Sequence, residues 1–311
     1  MIYDKFKRPV LSARISITQR CNLDCIYCHK EGIFEDSKEE MTPDEISRIV
    51  GICAKHGIKK VKITGGEPLL RSDVVDIVGG ISRLGIKDIS MTTNGTYLQD
   101  YASRLKESGL KRINVSLDTL KPEVFKEITG GANLDRVIEG IEVAIEAGLY
   151  PVKLNMVVMK GINDGEIREL LDHYSMDGVV LQLIELMDTD KEVFDRYYYS
   201  LDGIEREFEM NANDVTVREF MQDRKKYTLN GSQVEVVRPM HNTDFCSHCT
   251  RIRITTGGKF KPCLMRIDNF VDFLTPMRAG ADDKKLEELF REAVDRREPF
   301  FNFFASANEM I

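Results

Sequence analysis

The chain has 311 residues, 42% of them hydrophobic, which is enough for one large domain or for one domain with a smaller appendage. Its net charge of −7 and pI near 5.5 argue against a protein that coats nucleic acid, because neutralising phosphates needs a surplus of clustered Lys and Arg. No apolar run is long enough to cross a bilayer, and residues 1–7 lack the apolar segment of a signal peptide, so we expect a cytoplasmic protein with no membrane partner.

Short β-rich runs alternate with amphipathic helical stretches from residue 14 to about residue 185, which is typical of βα units with a parallel sheet. The predicted strands are 14–18, 61–64, 88–92, 112–116, 152–158 and 179–184. Several of them end in polar or glycine-rich segments, which would share one face of a parallel barrel and carry the active site. Six units leave the barrel unclosed, so we predict an α/β fold with an incomplete (β/α)6 TIM-type barrel and a wide lateral cleft.

Three cysteines, Cys21, Cys25 and Cys28, follow the first predicted strand with the spacing C-x3-C-x2-C. A structural zinc site normally closes with four protein ligands, whereas three thiolates on a four-iron cluster leave one iron open for an exogenous ligand. S-adenosylmethionine can chelate that iron, and an electron from the cluster then releases a 5'-deoxyadenosyl radical. The alternative is a zinc loop completed by a remote residue such as His29.

An aromatic residue, Tyr27, precedes the last of these cysteines, and a Gly-Gly-Glu-Pro segment at 65–68 follows the second predicted strand. A Gly-Gly pair alone is only a turn signal. Together with the cysteines, the segment resembles the radical S-adenosylmethionine superfamily. The resemblance implies that the glycine-rich segment binds the methionine amino end of the cofactor and that the Tyr27 backbone meets the adenine.

The βα rhythm fades beyond residue 190 into a charged helical stretch and then a β-rich run at 234–237. An amphipathic pattern at 282–297 predicts a helix, and the aromatic segment 299–304 suggests that this end packs against the body. We therefore predict a barrel domain over 1–230 and a small C-terminal iron-sulfur domain over 231–311. Cys53 stands alone in an apolar helical pattern, which favours a buried small hydrophobic residue.

A second trio of cysteines, Cys246, Cys249 and Cys263, spans a hairpin-like stretch at 255–259. Seven cysteines in a long intracellular chain are better explained as metal ligands or reactive groups than as a disulfide framework. The spacing alone leaves open a zinc knuckle completed by His241 or His248.

The run 245–264 resembles the C-terminal signature of the GTP 3',8-cyclase family (MoaA), which starts molybdenum cofactor synthesis. Matching segments at 14–18, 62–71, 92–95, 112–118 and 160–164 extend the resemblance over nearly the whole chain. It implies two 4Fe-4S clusters and S-adenosylmethionine as cofactors, and GTP as the substrate. The deoxyadenosyl radical would remove the ribose 3' hydrogen, and the resulting carbon radical would attack guanine C8.

The resemblance also implies roles for individual residues. The first trio would hold the radical-generating cluster, and the open iron of the second trio's cluster would bind the purine. Residues that match the S-adenosylmethionine pocket are Tyr27, Gly66, Ser116 and Met187. Residues that match GTP contacts are Arg14, Lys62, Thr92 and Lys153, mostly at the triphosphate, with Arg251 and Arg253 beside the second cluster. Taken singly, Met187 is more typical of core filler and Ser116 of a turn hydroxyl at a strand end. Lys62 and Lys153, each isolated in a strand, are compatible with solvated edge charges.

The partners implied by the resemblance are an electron donor such as flavodoxin or ferredoxin, a second copy in a homodimer, and cyclic pyranopterin monophosphate synthase as the enzyme that takes the product. The chain departs from the family at its end. Bacterial members commonly finish in a Gly-Gly tail that reaches the active site, whereas residues 305–311 contain no glycine.

Two alternatives remain at this stage. A radical maturase of a peptide or another small molecule would also carry an auxiliary cluster, although Arg251 and Arg253 suit an anionic nucleotide better than a peptide. A non-catalytic electron carrier or zinc-binding adaptor would require four protein ligands at each site.

Overall fold

The computed structural model describes residues 1–33, 39–131, 133–218, 222–240 and 243–299. The six predicted strands are all present, each within two residues of its predicted bounds: β1 Ser12–Ser16, β2 Lys60–Thr64, β3 Asp88–Thr93, β4 Arg112–Ser116, β5 Val152–Val158 and β6 Val179–Glu185. They pair in chain order, and every pair is parallel. The predicted βα organisation is therefore confirmed.

Helices connect these strands and cover one face of the sheet: α1 Pro43–Lys55, α2 Val74–Arg83, α3 Leu98–Ser108, α4 Pro122–Thr129, α5 Leu134–Glu146 and α6 Ile167–His173. Local sequence fixes several of their ends. At α1, the Thr42 hydroxyl accepts from the Glu45 amide and the Glu45 carboxylate accepts from the Thr42 amide, a capping box next to Pro43. Helix α3 stops at Gly109, whose φ of 114° is readily adopted only by glycine.

Two helices and an unforeseen hairpin follow β6: α7 Lys191–Tyr197, α8 Asp202–Asn211, β7 Asp214–Arg218, β8 Arg224–Leu229 and β9 Ser232–Val237. The predicted helical stretch holds for α7 and α8, but β7 and β8 were missed. Strand β7 is exposed over 214–217, so it lacks the apolar alternation that identifies a half-buried strand. For β8 a usable signal was present at Asn230-Gly231, the two-residue turn that joins β8 to β9 and in which both residues have positive φ.

The last described elements are α9 Thr243–Ser247, β10 Arg251–Ile254, β11 Lys259–Lys261, β12 Val271–Asp272, α10 Leu274–Arg278 and α11 Asp283–Asp295. The twelve strands found in the described residues form one sheet, in the order β12-β11-β10-β1-β2-β3-β4-β5-β6-β9-β8-β7. Strand β10 extends the parallel sheet beside β1, and β9 extends it beside β6, so both chain halves contribute to one unclosed barrel wall. The division of the chain at residue 230 stays a prediction.

The two faces of this sheet differ in chemistry because successive side chains of a strand point to opposite sides. In β2, Val61 and Ile63 are fully buried, and Lys62 between them points the other way. The register aligns Arg253, Arg14 and Lys62 across β10, β1 and β2. The apolar face carries the core under the helices, and the concave face is polar and cationic.

The C-terminal helix docks on the body, as predicted. Arg48 and Lys55 of α1 both pair with Asp283 at the start of α11. Arg8, near the N-terminus, donates to the carbonyls of Glu298 (2.5 Å) and Pro299 (2.9 Å). The aromatic residues 300–304 and the tail at 305–311 lie outside the described residues.

Two smaller expectations are also settled. Cys53 is fully buried in the core, as the apolar pattern predicts. None of the helices in the described part of the chain is both long enough and apolar enough to cross a membrane.

Candidate active site

A cavity of about 580 Å³ occupies the concave face of the sheet, within the range that small-molecule sites span. Thirteen of the residues singled out from the sequence line it: Arg14, Tyr27, His29, Lys62, Thr92, Ser116, Lys153, Met187, Cys246, Cys249, Arg251, Arg253 and Cys263. Gly66 and the first cysteine trio are not part of its lining. Tyr27, between two of these cysteines in sequence, connects their loop to the cavity wall.

The loop that carries the first trio is held by the segments that follow β2 and β3. A side chain at position 66 would collide with the Arg20 carbonyl oxygen at 2.3 Å, so glycine is required for this close approach. The buried Glu67 carboxylate accepts from the Asn94 amide (2.6 Å) and the Thr93 hydroxyl (2.7 Å). The Asn94 side-chain amide lies 3.9 Å from the Cys21 sulfur, so the Gly-Gly-Glu-Pro segment positions the cysteine loop through β3.

Tyr27 is fixed by a carboxylate that the sequence did not single out as functional. Its hydroxyl donates to Asp118 Oδ2 (2.7 Å), and Asp118 Oδ1 accepts from the Val157 amide (2.8 Å). Burial raises the pKa of Asp118 to about 6, although both hydrogen bonds favour its charged form. This link holds the end of the first cysteine loop against β4 and β5.

The thiols of the two trios have different electrostatic surroundings. Burial raises the pKa of Cys25, and negative neighbours such as Asp118 raise it further, so a metal would have to displace its proton. Burial also disfavours the Cys249 thiolate, but Arg297 and Arg251 outweigh it and lower its pKa. Cys249 of the second trio therefore lies in a positive environment that favours its thiolate.

The donor sets fit iron-sulfur clusters in number and type. All seven cysteines are free of disulfides, and each trio supplies three soft thiolate ligands. Within the described ranges, no three His, Cys, Asp or Glu side chains converge closely enough to hold a single metal ion. His241, one candidate for a fourth zinc ligand, lies outside the described residues.

Cations dominate the cavity wall. Of the described residues that line it, three are carboxylates (Glu31, Glu185 and Glu298) and eleven are Lys or Arg: Arg8, Arg14, Lys60, Lys62, Arg112, Lys153, Arg224, Arg251, Arg253, Arg266 and Arg297. Burial lowers the pKa of Lys62 well below its usual value, and the neighbouring Arg14 and Arg112 lower it further. A concave surface with this charge selects anions.

Glu31 joins the first cysteine loop to the arginines near the second trio. Its Oε1 lies 3.2 Å from Arg14 Nη1 and accepts from the Thr64 hydroxyl (3.0 Å), and its Oε2 lies 3.7 Å from Arg253 Nη1. Burial opposes its ionisation, but the two arginines prevail and lower its pKa to about 2. The carboxylate is therefore charged at any working pH.

A polar ladder crosses the cavity floor from β2 to β8. Lys62 Nζ donates to Asn114 Oδ1 (3.0 Å), and Gln182 Nε2 donates to Asn155 Oδ1 (3.0 Å). Arg224 Nη1 donates to Gln182 Oε1 (2.8 Å). Sequence reasoning missed these amides, although polar residues at every second position of the predicted strands were a signal for them.

Comparisons with known proteins find relatives over nearly the whole chain. The Radical SAM superfamily model matches residues 15–174, and the Molybdenum Cofactor Synthesis C model matches residues 179–303. A probable GTP 3',8-cyclase of Methanococcus aeolicus is 51% identical over 96% of this chain and 99% of that protein. A probable GTP 3',8-cyclase of Thermococcus kodakarensis is 49% identical over 97% of this chain and 100% of that protein.

Solved structures with the same fold are more distant in sequence. Streptococcus suis SuiB bound to S-adenosylmethionine has a TM-score of 0.63 at 20% identity, covering 82% of this chain and 60% of that chain. Native anSMEcpe with bound AdoMet has a TM-score of 0.63 at 20% identity, covering 91% of this chain and 81% of that chain. At this identity the likeness concerns the fold alone, and it confirms the incomplete barrel.

Proposed function

This chain belongs to the GTP 3',8-cyclase family of radical S-adenosylmethionine enzymes, and we propose that its cavity holds GTP between the two cysteine trios for cyclisation in molybdenum cofactor biosynthesis. One observation supports this assignment above the others. A single cation-rich cavity is lined both by the second trio and by Tyr27, Ser116 and Met187, the residues proposed for S-adenosylmethionine.

Each trio would hold one 4Fe-4S cluster, with Cys21, Cys25 and Cys28 on the S-adenosylmethionine side and Cys246, Cys249 and Cys263 on the GTP side. When bound, the first cluster would supply the electron that cleaves S-adenosylmethionine to methionine and the 5'-deoxyadenosyl radical. That radical would take the ribose 3' hydrogen and leave as 5'-deoxyadenosine, C3' would bond to C8, and one further electron from the reductant and a proton would convert the resulting guanine radical to the dihydro product. The chain's own residues orient the two substrates so that these atoms meet, an effect worth several orders of magnitude in rate.

The cations divide this orienting work. Arg251 and Arg253 lie on β10 beside the second trio, where the guanine is proposed to bind. Arg14, Lys62, Thr92 and Lys153 line the wall that would receive the triphosphate. The phosphates are remote from the reacting carbons, so the free energy gained by binding them can hold the ribose in position.

We further propose, from the family resemblance, that flavodoxin or ferredoxin donates the electron, that the chain forms a homodimer, and that the product passes to cyclic pyranopterin monophosphate synthase. A radical maturase is the less favoured alternative. A peptide substrate would not require eleven cations around one cavity.

Anaerobic turnover tests the proposal directly. The enzyme with both clusters reconstituted is incubated with S-adenosylmethionine, a reductant and either GTP or ATP. We expect one 3',8-cyclised product per 5'-deoxyadenosine with GTP and no cyclised product with ATP. Deoxyadenosine formation without any cyclised GTP would refute the assignment and favour the maturase.

The protonation of Lys153 predicts a pH dependence for GTP binding. Burial lowers the pKa of Lys153 to about 7, even though Glu235 at 2.6 Å raises it. Above pH 7, Lys153 is mostly neutral in the enzyme without GTP, so Lys153 must take up a proton when a phosphate binds. KM for GTP should therefore rise by up to about tenfold per pH unit. Lys153→Arg stays protonated and should remove this part of the rise. Parallel KM profiles for the two enzymes between pH 6 and 9 would contradict the role of Lys153.

A further inference from the structure

The hairpin of β7 and β8 brings two arginines against a buried carboxylate on β9. Arg218 Nη1 lies 2.5 Å from Glu235 Oε1, and Arg224 Nη1 lies 3.6 Å from Glu235 Oε2. Lys153 Nζ, from β5, lies 2.6 Å from the same Oε1. Glu235 is fully buried, so three cations from three different strands meet on one carboxylate inside the protein.

Arg224 faces the cavity from this group. It lines the cavity together with Lys153 and Gln182, and its Nη1 also donates to Gln182 Oε1 (2.8 Å). The guanidinium is thus held by a carboxylate on β9 and by an amide on β6. A guanidinium fixed in this way presents its fork to a ligand with little loss of side-chain entropy on binding.

The group keeps a positive potential despite Glu235. Burial lowers the pKa of Lys153, Glu235 raises it, and Arg224 and Arg218 lower it again, with a net result of about 7. Burial also disfavours the charged form of Glu235, but here Lys153, Arg224 and Arg218 outweigh burial and lower the pKa to about 2. Glu235 therefore organises the three cations without cancelling them, and an anion in the cavity would complete the group.

The residues just before β8 lie near the second cysteine loop. Gln222 lines the cavity, and it and Asp223 have left-handed backbone angles, with φ of 67° and 50°. Asp223 Oδ2 lies 3.1 Å from His248 Nε2, in the loop between Cys246 and Cys249. The start of β8 thus lies between the Glu235 group and the second cysteine loop, beside which the base is proposed to bind.

We propose that Arg224 and Lys153, held together with Arg218 on Glu235, form a hairpin phosphate site, which binds the terminal phosphate of the nucleotide and makes the enzyme prefer a triphosphate to a diphosphate. This rests on the proposed function in taking GTP as the nucleotide. Arg224 and Lys153 contact the phosphate, whereas Glu235 is a positioning residue. The planar fork of Arg224 matches two phosphate oxygens at once.

Competition by phosphates that carry no base isolates this site. The reconstituted enzyme is loaded with labelled GTP, and inorganic triphosphate or pyrophosphate is added as competitor. We expect wild type to prefer triphosphate by about tenfold or more, the worth of a charge-assisted hydrogen bond, and Arg224→Gln to lose most of that preference. Lys225→Gln is the matched control, since the neighbouring Lys225 pairs with the exposed Glu209 and should leave the preference unchanged.

Two further variants separate phosphate binding from folding. Arg224→Lys keeps the charge but not the fork, so we expect an intermediate preference for triphosphate. Glu235→Gln removes the anion that holds the Lys153 proton, while Arg224 of β8, Arg218 of β7 and Lys62 of β2 still repel that proton. Its triphosphate affinity should therefore fall at a lower pH than that of wild type. If Glu235 has only a structural role, Glu235→Gln should lower the melting temperature but leave unchanged the pH at which the triphosphate affinity falls.

An unchanged triphosphate preference in Arg224→Gln, at normal melting temperature, overturns the hairpin phosphate site. If that variant does not fold, a wild-type preference in Arg224→Lys overturns it instead. The proposed function fails separately. Wild type that cyclises no GTP but still prefers triphosphate would refute the cyclase activity and leave the phosphate site standing.

Discussion

Replacing Cys25 by alanine is expected to abolish 5'-deoxyadenosine formation from S-adenosylmethionine. Cys25 is the middle thiol of the first trio, in a loop held by the segments after β2 and β3. With two thiolates instead of three, a second iron of the cluster would lose its protein ligand, and the single open iron that S-adenosylmethionine needs would no longer be defined. The expected loss is complete because no other described thiol belongs to this loop.

The measurement is anaerobic turnover, with deoxyadenosine separated by chromatography and iron determined on the same sample. Cys25→Ala should retain about half of the wild-type iron, held by the second trio, and should still bind GTP. Cys53→Ala is the matched control, because Cys53 is buried in the core away from both trios and should keep full activity. Deoxyadenosine from Cys25→Ala at the wild-type rate would exclude this loop as the radical source.

Replacing Glu31 by glutamine should give the second largest effect, a fall of roughly 10²–10³ in kcat/KM for GTP cyclisation, the cost of leaving buried charges without their partner. Its carboxylate binds Arg14 and Thr64 and lies near Arg253. Glutamine has nearly the same shape but no charge, so the two arginines would repel each other and lose their common anchor. The first cysteine loop and the proposed guanine site would then lose their direct connection.

The diagnostic readout is the ratio of deoxyadenosine to cyclised product. We expect Glu31→Gln to keep cleaving S-adenosylmethionine while cyclising little GTP, so the ratio rises well above one. Asp100→Asn removes a carboxylate from an exposed pair with Arg136 and should change neither rate. A proportional loss of both products in Glu31→Gln would instead point to damage at the first cluster.

Glu31 also predicts how stability depends on pH. Its pKa is about 2 in the folded protein and near 4.5 in an unfolded chain. The stabilisation is therefore complete above about pH 4.5 and is lost as the pH falls toward 2. Glu31→Gln should lack this loss of stability, because it has no carboxylate at position 31 to protonate. Unfolding midpoints of wild type and Glu31→Gln between pH 5 and 2 measure the difference.

Much of the site was accessible from the sequence because its signals are local. The first trio falls within eight residues, and the strands carry an alternation of apolar and polar residues that a short window shows. The same alternation in 112–116 would have added Arg112 and Asn114 to the candidates for the cavity wall, and both line it. Glu31 and Glu235 could not be found in this way, since a single carboxylate in a charged chain has no distinguishing local pattern.

By itself, the sequence determined the two cysteine trios, the six core strands and the cationic residues of β1, β2, β5 and β10. Only the tertiary structure decided that β10 pairs with β1 and β9 with β6, that Glu31 meets Arg14 and Arg253, and that the β7–β8 hairpin reaches Glu235. The physical reason is the separation along the chain of the residues that interact. Ligand spacing and strand periodicity are set by neighbours a few residues apart, whereas a buried ion pair forms between residues that meet only after the barrel wall has assembled.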